Sequence, residues 1–203
     1  YKDIEEVIFM VAFITVDGIY LILQELQELL ERDVKIVFIT GFMNYFNSPK
    51  AFELLMRLGK IEIRIANIHG YHPKLYFIRH SSGVCEYIVG SSNLTNSALR
   101  RNMEMNIYFE QQKGSNLVEQ VESVYQELYK ESQLLSEELL DKYKQSYFKN
   151  KTIINSISVS KELFKPNLMQ ERALTSLINL RSTGKNKALI ISATGSGKTY
   201  LSA

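Results

Sequence analysis

Tryptophan is absent from this sequence of 203 residues, and cysteine, histidine and proline are scarce, with one Cys, three His and three Pro. The single thiol, Cys85, sits in the apolar run VCEYIV. It cannot close an internal disulfide, and it has no partner at metal-ligand spacing. A disulfide scaffold and a zinc module are therefore excluded. Cys85 reads as a buried structural thiol, and the expected setting is reducing and cytoplasmic. No apolar run is long enough to span a membrane, and no signal-peptide pattern opens the chain. No membrane partner is expected. Neither sign of charge dominates: 24 basic against 22 acidic residues leave a net charge of +2. Contact with a polyanion must then come from a local patch rather than from a global field. There is no internal repeat and no low-complexity tract.

What is present is enough apolar material for a core. Hydrophobic residues make up 45% of the chain and aromatics, all Tyr or Phe, 11%. Val7–Thr15 (VIFMVAFIT) is predicted as a central strand, apolar on both faces. Asp17 and Gly18 open a helix with Ile19, Ile22, Leu23, Leu26 and Leu30 at helical spacing. Val34–Thr40 is a second strand. Pro49 starts a short helix, and Ile61–Ala66 alternates as a half-buried strand. This β-α-β-α-β order predicts parallel strands with crossover helices. The pattern then changes. His72–Arg79 and Val84–Val89 flank a Ser-Ser-Gly turn, which is a hairpin signal, and Met103–Phe109 follows as another strand. The sheet should be mixed. Two helices follow, one over residues 117–128 and one capped by Ser136. Residues 146–160 lose periodicity and read as a linker. Beyond them Pro166–Leu180 reads as a helix and Lys187–Ser192 as a short buried strand. The chain begins without methionine and stops at Ala203 inside an expected helix, so a fragment of a longer protein is expected.

Two constellations carry chemistry. The first begins with His72-x-Lys74 at the start of a predicted strand. Residues two apart on a strand share a face, so both side chains could reach one phosphate. Lysine supplies charge and three donors. A neutral imidazole can attack phosphorus, and a second histidine must then protonate the leaving oxygen. Gly90-Ser91-Ser92-Asn93 follows the neighbouring strand and offers hydroxyl and amide groups to the same phosphate. By itself it is an ordinary turn. Glu104 lies on the next strand, where a carboxylate can orient an imidazole. His69 and His80 are expected to be loop or surface histidines. Arg100 and Arg101 are either a solvated basic pair or contacts to a nucleic-acid backbone.

Taken in this order, HPKLYF from His72, VGSSNLT from Val89 and the N-x-E of Asn102–Glu104 resemble the phospholipase D superfamily. VAFIT and ITG near the start are similar to that family's early strands. The resemblance covers roughly residues 1–130. It implies His72 as nucleophile, Lys74 and Asn93 as phosphate ligands, Ser91 as their helper, and Glu104 as the group that orients a histidine. It implies a mechanism without a metal or other cofactor. It also implies two half-sites. With one H-x-K in the chain, the expected partner is a second copy, with the active site across the two-fold axis. The sequence departs from the pattern at Arg79, where many members carry aspartate.

The second constellation is SATGSGKT, Ser192–Thr199. It fits a P-loop except for serine in place of the first glycine. In such a loop, backbone N–H groups around Gly195 and Gly197 cradle phosphates, Lys198 reaches the β/γ-phosphates and Thr199 ligates magnesium. ATGSGKT resembles motif I of superfamily 2 helicases. KPNLMQERAL resembles their Q motif, with Gln170 reading adenine. This resemblance implies ATP and Mg as cofactors of a longer helicase, whose later motifs lie outside the sequence.

The expected fold class is α/β: a phospholipase D-like mixed β-sheet flanked by helices, followed by a truncated P-loop NTPase segment. The expected domains are 1–145 (phosphodiesterase), 146–163 (linker) and 164–203 (start of a helicase ATPase). The expected function is metal-independent cleavage of DNA through a phosphohistidine, in a restriction-type protein; RNA stays open as a substrate. The alternative is a catalytically weak DNA-binding or dimerisation module of a helicase. Lipid hydrolysis has no support in the residues.

Overall fold

The computed structural model describes residues 3–159, 168–185 and 187. Seven strands form one sheet: β1 (Ile4–Val11), β2 (Lys35–Thr40), β3 (Ile61–Ala66), β4 (Lys74–His80), β5 (Val84–Gly90), β6 (Asn106–Gln112) and β7 (Ser132–Leu134). Their spatial order is β6-β5-β4-β1-β2-β3-β7. β1, β2 and β3 are parallel neighbours, and β4, β5 and β6 pair antiparallel. The mixed sheet is as expected. The helices are α1 (Val16–Tyr20), α2 (Leu23–Glu31), α3 (Pro49–Leu58), α4 (Asn96–Arg100), α5 (Asn116–Lys130), α6 (Glu137–Val159) and α7 (Leu168–Ser182).

Alternation along the strands divides the core in two. One face of the sheet carries Val7, Phe9, Val11, Ile36 and Phe38, packed against Ile19, Leu26, Phe52, Leu55 and Tyr143 of the helices. The opposite face carries Ile8, Met10, Val37, Ile39, Phe77 and Tyr87, packed against Val118 and Tyr125 of α5. β1 and β2 are apolar on both faces because both are covered, as parallel crossover sheets require. Phe9 stacks on Phe38 at 4.2 Å across the parallel pair. Cys85 is buried in the second core, as expected.

Several boundaries differ from the expectation. β1 stops at Val11, not at Thr15. The chain bends at Ala12, and the backbone N–H groups of residues 12–15 bond to loops instead of to a strand. β6 begins at Asn106, so Glu104 lies in the loop before the strand and not on it. β7 was not foreseen; it adds three residues to the free edge of β3. The stretch expected as a linker is helical through Val159. Ser136 does cap this helix, accepting from Leu139 N–H at 3.1 Å. Tyr143 and Tyr147, four apart, continue its buried face past residue 146. The chain divides into two units, 1–155 and 156–203. In the second, α7 is described, while the expected strand 187–192 and the P-loop lie outside the described residues except for Lys187.

Arg79 explains itself in this fold. It stands five residues from Lys74 on β4, about 17 Å along the strand, and on the opposite face. Its guanidinium donates to both carboxylate oxygens of Glu122, at 2.9 and 2.6 Å, and to Glu6. Glu6 is buried, with 8% of its side chain exposed, and is also paired with Lys35 at 2.8 Å. The guanidinium lies over the Phe77 ring at 4.7 Å. Arg79 is thus a clamp between β1, β4 and α5. Removing one partner of a buried pair leaves the other charge uncompensated, at about 3–5 kcal/mol. Because Lys35 remains and Arg79 is partly exposed, Arg79→Met should cost less, about 2 kcal/mol of unfolding free energy, read as a lower urea midpoint. Arg79→Asp should cost more, since it sets a third carboxylate beside Glu6 and Glu122. An unchanged midpoint in both would remove the clamp.

Candidate active site

The site is built where four chain segments meet beyond the end of β1. Ala12 N–H donates to Pro73 C=O at 2.9 Å. Phe13 N–H donates to Asn93 Oδ1 at 3.1 Å. Ile14 N–H donates to Asn47 Oδ1 at 2.8 Å. Leu94 N–H and Thr15 N–H complete a two-way tie, to Phe13 C=O and Leu94 C=O, each at 3.1 Å. Residues 12–15 therefore fix the His72 loop, the GSSN turn and the loop after β2 to one another. Gly18 permits this closeness. A Cβ there would collide with the Leu94 carbonyl and come within 2.8 Å of Thr95 Cα.

His72 lies just before β4 and is exposed; Lys74 is the first residue of that strand. Lys74 Nζ sits 2.7 Å from Nδ1 and 3.1 Å from Nε2 of the imidazole, and donates to the His72 carbonyl at 3.0 Å. An ammonium only donates, so the nitrogen it faces must accept. The imidazole also meets the Phe13 ring edge-on at 5.4 Å. Partial burial lowers the Lys74 pKa, and the Glu104 charge works against that shift.

On the facing side, Leu75 pairs with Val89, so the start of β4 and the end of β5 lie side by side. Gly90 ends β5; a Cβ there would strike the Met105 carbonyl and Asn106. Ser91 Oγ donates to Glu104 and accepts from Met105 N–H at 3.0 Å. Asn102 Nδ2 donates to the other Glu104 oxygen at 3.0 Å. These hydrogen bonds, Ser91 first, hold the Glu104 carboxyl below its ordinary value, and Lys74 adds to the effect. Glu104 is thereby committed to the turn, and His72 takes its contacts from Lys74 and Phe13. Asn93 is half-buried and uses its Oδ1 on Phe13. Ser92 is buried: its Oγ accepts from Asn106 Nδ2 at 2.8 Å and its carbonyl from Tyr76 OH at 3.0 Å.

The structure thus brings His72, Lys74, Ser91, Asn93 and Glu104 to one end of the sheet. Gln170 is buried on α7, while Gly195, Gly197, Lys198 and Thr199 lie outside the described residues. Among the described residues no cluster of His, Cys, Asp or Glu could hold a metal ion, and no helix is long and apolar enough to cross a membrane. Sequence reasoning missed Asn47, Phe13 and Asn106. None of them carries a local signal, because each matters through a partner more than 10 residues away.

A family profile described as "Cardiolipin synthase, PLD-like domain" matches residues 5–129. The chain belongs to this phospholipase D-like family. A second profile, "Type III restriction enzyme, res subunit", matches residues 163–203. Among solved structures, NucT from Helicobacter pylori is similar with a TM-score of 0.51 and 14% identity, over 66% of this chain and 84% of that one. Phosphatidylserine synthase from Haemophilus influenzae Rd KW20 is similar with a TM-score of 0.51 and 16% identity, over 77% of this chain and 40% of that one. A search of curated proteins gave no significant match. The phospholipase D-like fold is the frame of PLD-superfamily phosphodiesterases and nucleases, which agrees with the seven-stranded mixed sheet.

His80 lies at the other end of β4, away from this site. It was expected on a loop or at the surface; instead its side chain is 9% exposed and lies between Asp3 at 3.0 Å and Glu86 at 2.5 Å. Burial disfavours its charge, but the hydrogen bonds and charges of Asp3 and Glu86 outweigh it and raise the pKa above 6.5. A raised native pKa stabilises the fold fully below the unfolded value, and that contribution is lost as pH rises through the native value. Unfolding measured at pH 5.5 and pH 8.5 should therefore show His80→Asn losing more stability at the lower pH. Equal losses at both pH values would contradict the ion-paired state of His80.

Proposed function

We propose that the phospholipase D-like unit is half of a nucleic-acid phosphodiesterase, acting on DNA through His72. The observation that carries the reading is the contact between the exposed His72 imidazole and the Lys74 ammonium, 2.7 Å apart, on the same rim as the GSSN turn. A His72 ring nitrogen would attack phosphorus. As the N–P bond forms, the P–O bond to the leaving group breaks, and a second imidazole protonates the departing oxygen. Water, deprotonated by that second imidazole, would then attack phosphorus and break the N–P bond. Lys74 and Asn93 would hold the phosphate oxygens, and Ser91 and Glu104 would set the shape of the turn. Each of these steps is balanced by the two imidazoles and water, with no metal.

The second imidazole would come from another copy of the chain. Two copies joined by their β6 edges would hold their β4 strands five strand spacings apart, about 24 Å, too far for two histidines to share one phosphate. The copies must then meet rim to rim. The exposed apolar side chains Leu99, Met103 and Met105 border the Ser91 side of that rim. The alternative, a module that binds but hardly cuts, rests on Arg79 in place of aspartate and on the modest net charge. Arg79 faces α5 and is engaged with Glu6 and Glu122, so the first of these grounds does not bear on the site.

Residues 164–203 are read as the start of a superfamily 2 helicase-type ATP site in a restriction-type protein. The match to the restriction subunit supports this reading. Gln170 would read adenine, Gly195, Gly197 and Lys198 the phosphates, and Thr199 the magnesium ion, which would polarise the γ-phosphate when bound.

The test is cutting of plasmid and single-stranded DNA in EDTA by the full chain, with sedimentation to give the oligomeric state. Wild type should cut as a dimer, and His72→Ala should lose at least about 1,000-fold in rate, as expected for loss of a nucleophile. A strict need for magnesium would refute the histidine mechanism. Hydrolysis of phospholipid in preference to DNA would refute the substrate.

A further inference from the structure

The loop between β2 and α3 carries an aromatic side chain that the fold leaves largely in solvent. Phe46 is 61% exposed, yet the loop around it is held from below on every side. Asn47, its neighbour, is 1% exposed. The Asn47 amide donates to Ala12 C=O at 3.0 Å, Thr40 Oγ1 at 3.1 Å and Gly41 C=O at 2.7 Å, and its Oδ1 accepts from Ile14 N–H at 2.8 Å. Its carbonyl accepts from Tyr143 OH at 2.6 Å. Asn44 and Tyr45, just before Phe46, both have left-handed backbone, at φ 50° and 55°. Two successive non-glycine residues in that region are costly and persist only where the surroundings impose them. A loop this well anchored could have turned Phe46 inward. It holds the ring out instead.

The position is specific. The Phe46 ring meets Phe13 at 4.9 Å, and Phe13 in turn meets the His72 imidazole at 5.4 Å. Phe46 is therefore one ring removed from the proposed nucleophile, on the side away from Glu104 and the GSSN turn. An exposed aromatic face beside a phosphate site is what an unpaired nucleobase stacks on, and stacking tolerates any base because every base has a π-face.

We propose that Phe46, backed by Phe13, is the stacking platform for a nucleobase flanking the phosphate at His72 and Lys74. This inference rests on the nucleic-acid reading of that site and narrows it. The favoured substrate is single-stranded or locally unpaired, since a base inside a duplex is already stacked on its neighbours. Phe46 is a binding residue, not a catalytic one.

The experiment compares binding of two single-stranded oligonucleotides of equal length, one of ordinary sequence and one with abasic sugars throughout, to full-chain wild type, Phe46→Leu and Phe46→Trp. Phe46→Leu should weaken binding of the ordinary oligonucleotide about tenfold and leave the abasic one unchanged. Phe46→Trp should restore wild-type binding. The ratio of single-strand to duplex affinity should fall in Phe46→Leu. Equal loss on both oligonucleotides would mean that Phe46 only shapes the loop, and it would overturn the platform. No loss on either would also overturn it. Binding is read in a His72→Ala background, which should not cut, so a base-dependent difference there together with no cutting by wild type would support the platform while refuting the nuclease.

Discussion

Four residues that leave the sheet hold the candidate site together. Beyond Val11 the chain bends out of the sheet, and its N–H groups turn to three different loops: Ala12 to Pro73, Phe13 to Asn93 and Ile14 to Asn47. Each loop brings one part of the chemistry, respectively the His72–Lys74 pair, the GSSN turn and the aromatic Phe46. Because buried backbone groups must be paired, a displacement of any one loop leaves a donor of residues 12–14 unsatisfied, at a cost of about 1–3 kcal/mol. The coordination of the three loops is thus a consequence of hydrogen-bond satisfaction at the end of one strand.

The sheet sets this arrangement up through its change of direction. Parallel pairing of β1 with β2 and antiparallel pairing with β4 bring the ends of β1 and β2 to the same side as the start of β4. The β4–β5 hairpin then returns Gly90 to that side, and β6 starts there. His72, Lys74, Ser91, Asn93 and Glu104 therefore lie at or just beyond strand ends, on one rim of the sheet. The opposite end of β4 has a different chemistry. There Arg79, Glu6 and Glu122, and beside them His80, Asp3 and Glu86, form ion pairs that join elements.

Much of this was legible before the fold. The β-α-β-α-β order, the hairpin, the mixed sheet and the H-x-K and GSSN motifs follow from periodicity and local turn chemistry, which act over a few residues. The errors have a common cause. β1 was read as running to Thr15 because VAFIT is as apolar as a strand, but hydrogen-bond partners and not apolarity end a strand. β6 was started three residues early for the same reason: Met103 and Met105 are apolar yet exposed. Residues 146–160 read as a linker because periodicity fades there: the buried position described past residue 146 is Tyr147, and an apolar pattern does not register it.

The sequence alone determined the chemical groups: one histidine paired with a lysine two residues on, a small polar turn, a later carboxylate, and a separate phosphate-loop string. Only the tertiary structure decided how they are used. It put Arg79 on the far face, since an odd offset along a strand reverses the side. It gave Glu104 to Ser91 and Asn102, contacts set by the close approach at Gly90. It made a buried keystone of Asn47 and left Phe46 beside it in solvent. Apart from Asn102, two residues from Glu104, and Thr40 and Gly41, within seven residues of Asn47, the partners that decide these outcomes are 13 to 96 residues away, and no local pattern in the chain encodes such distances.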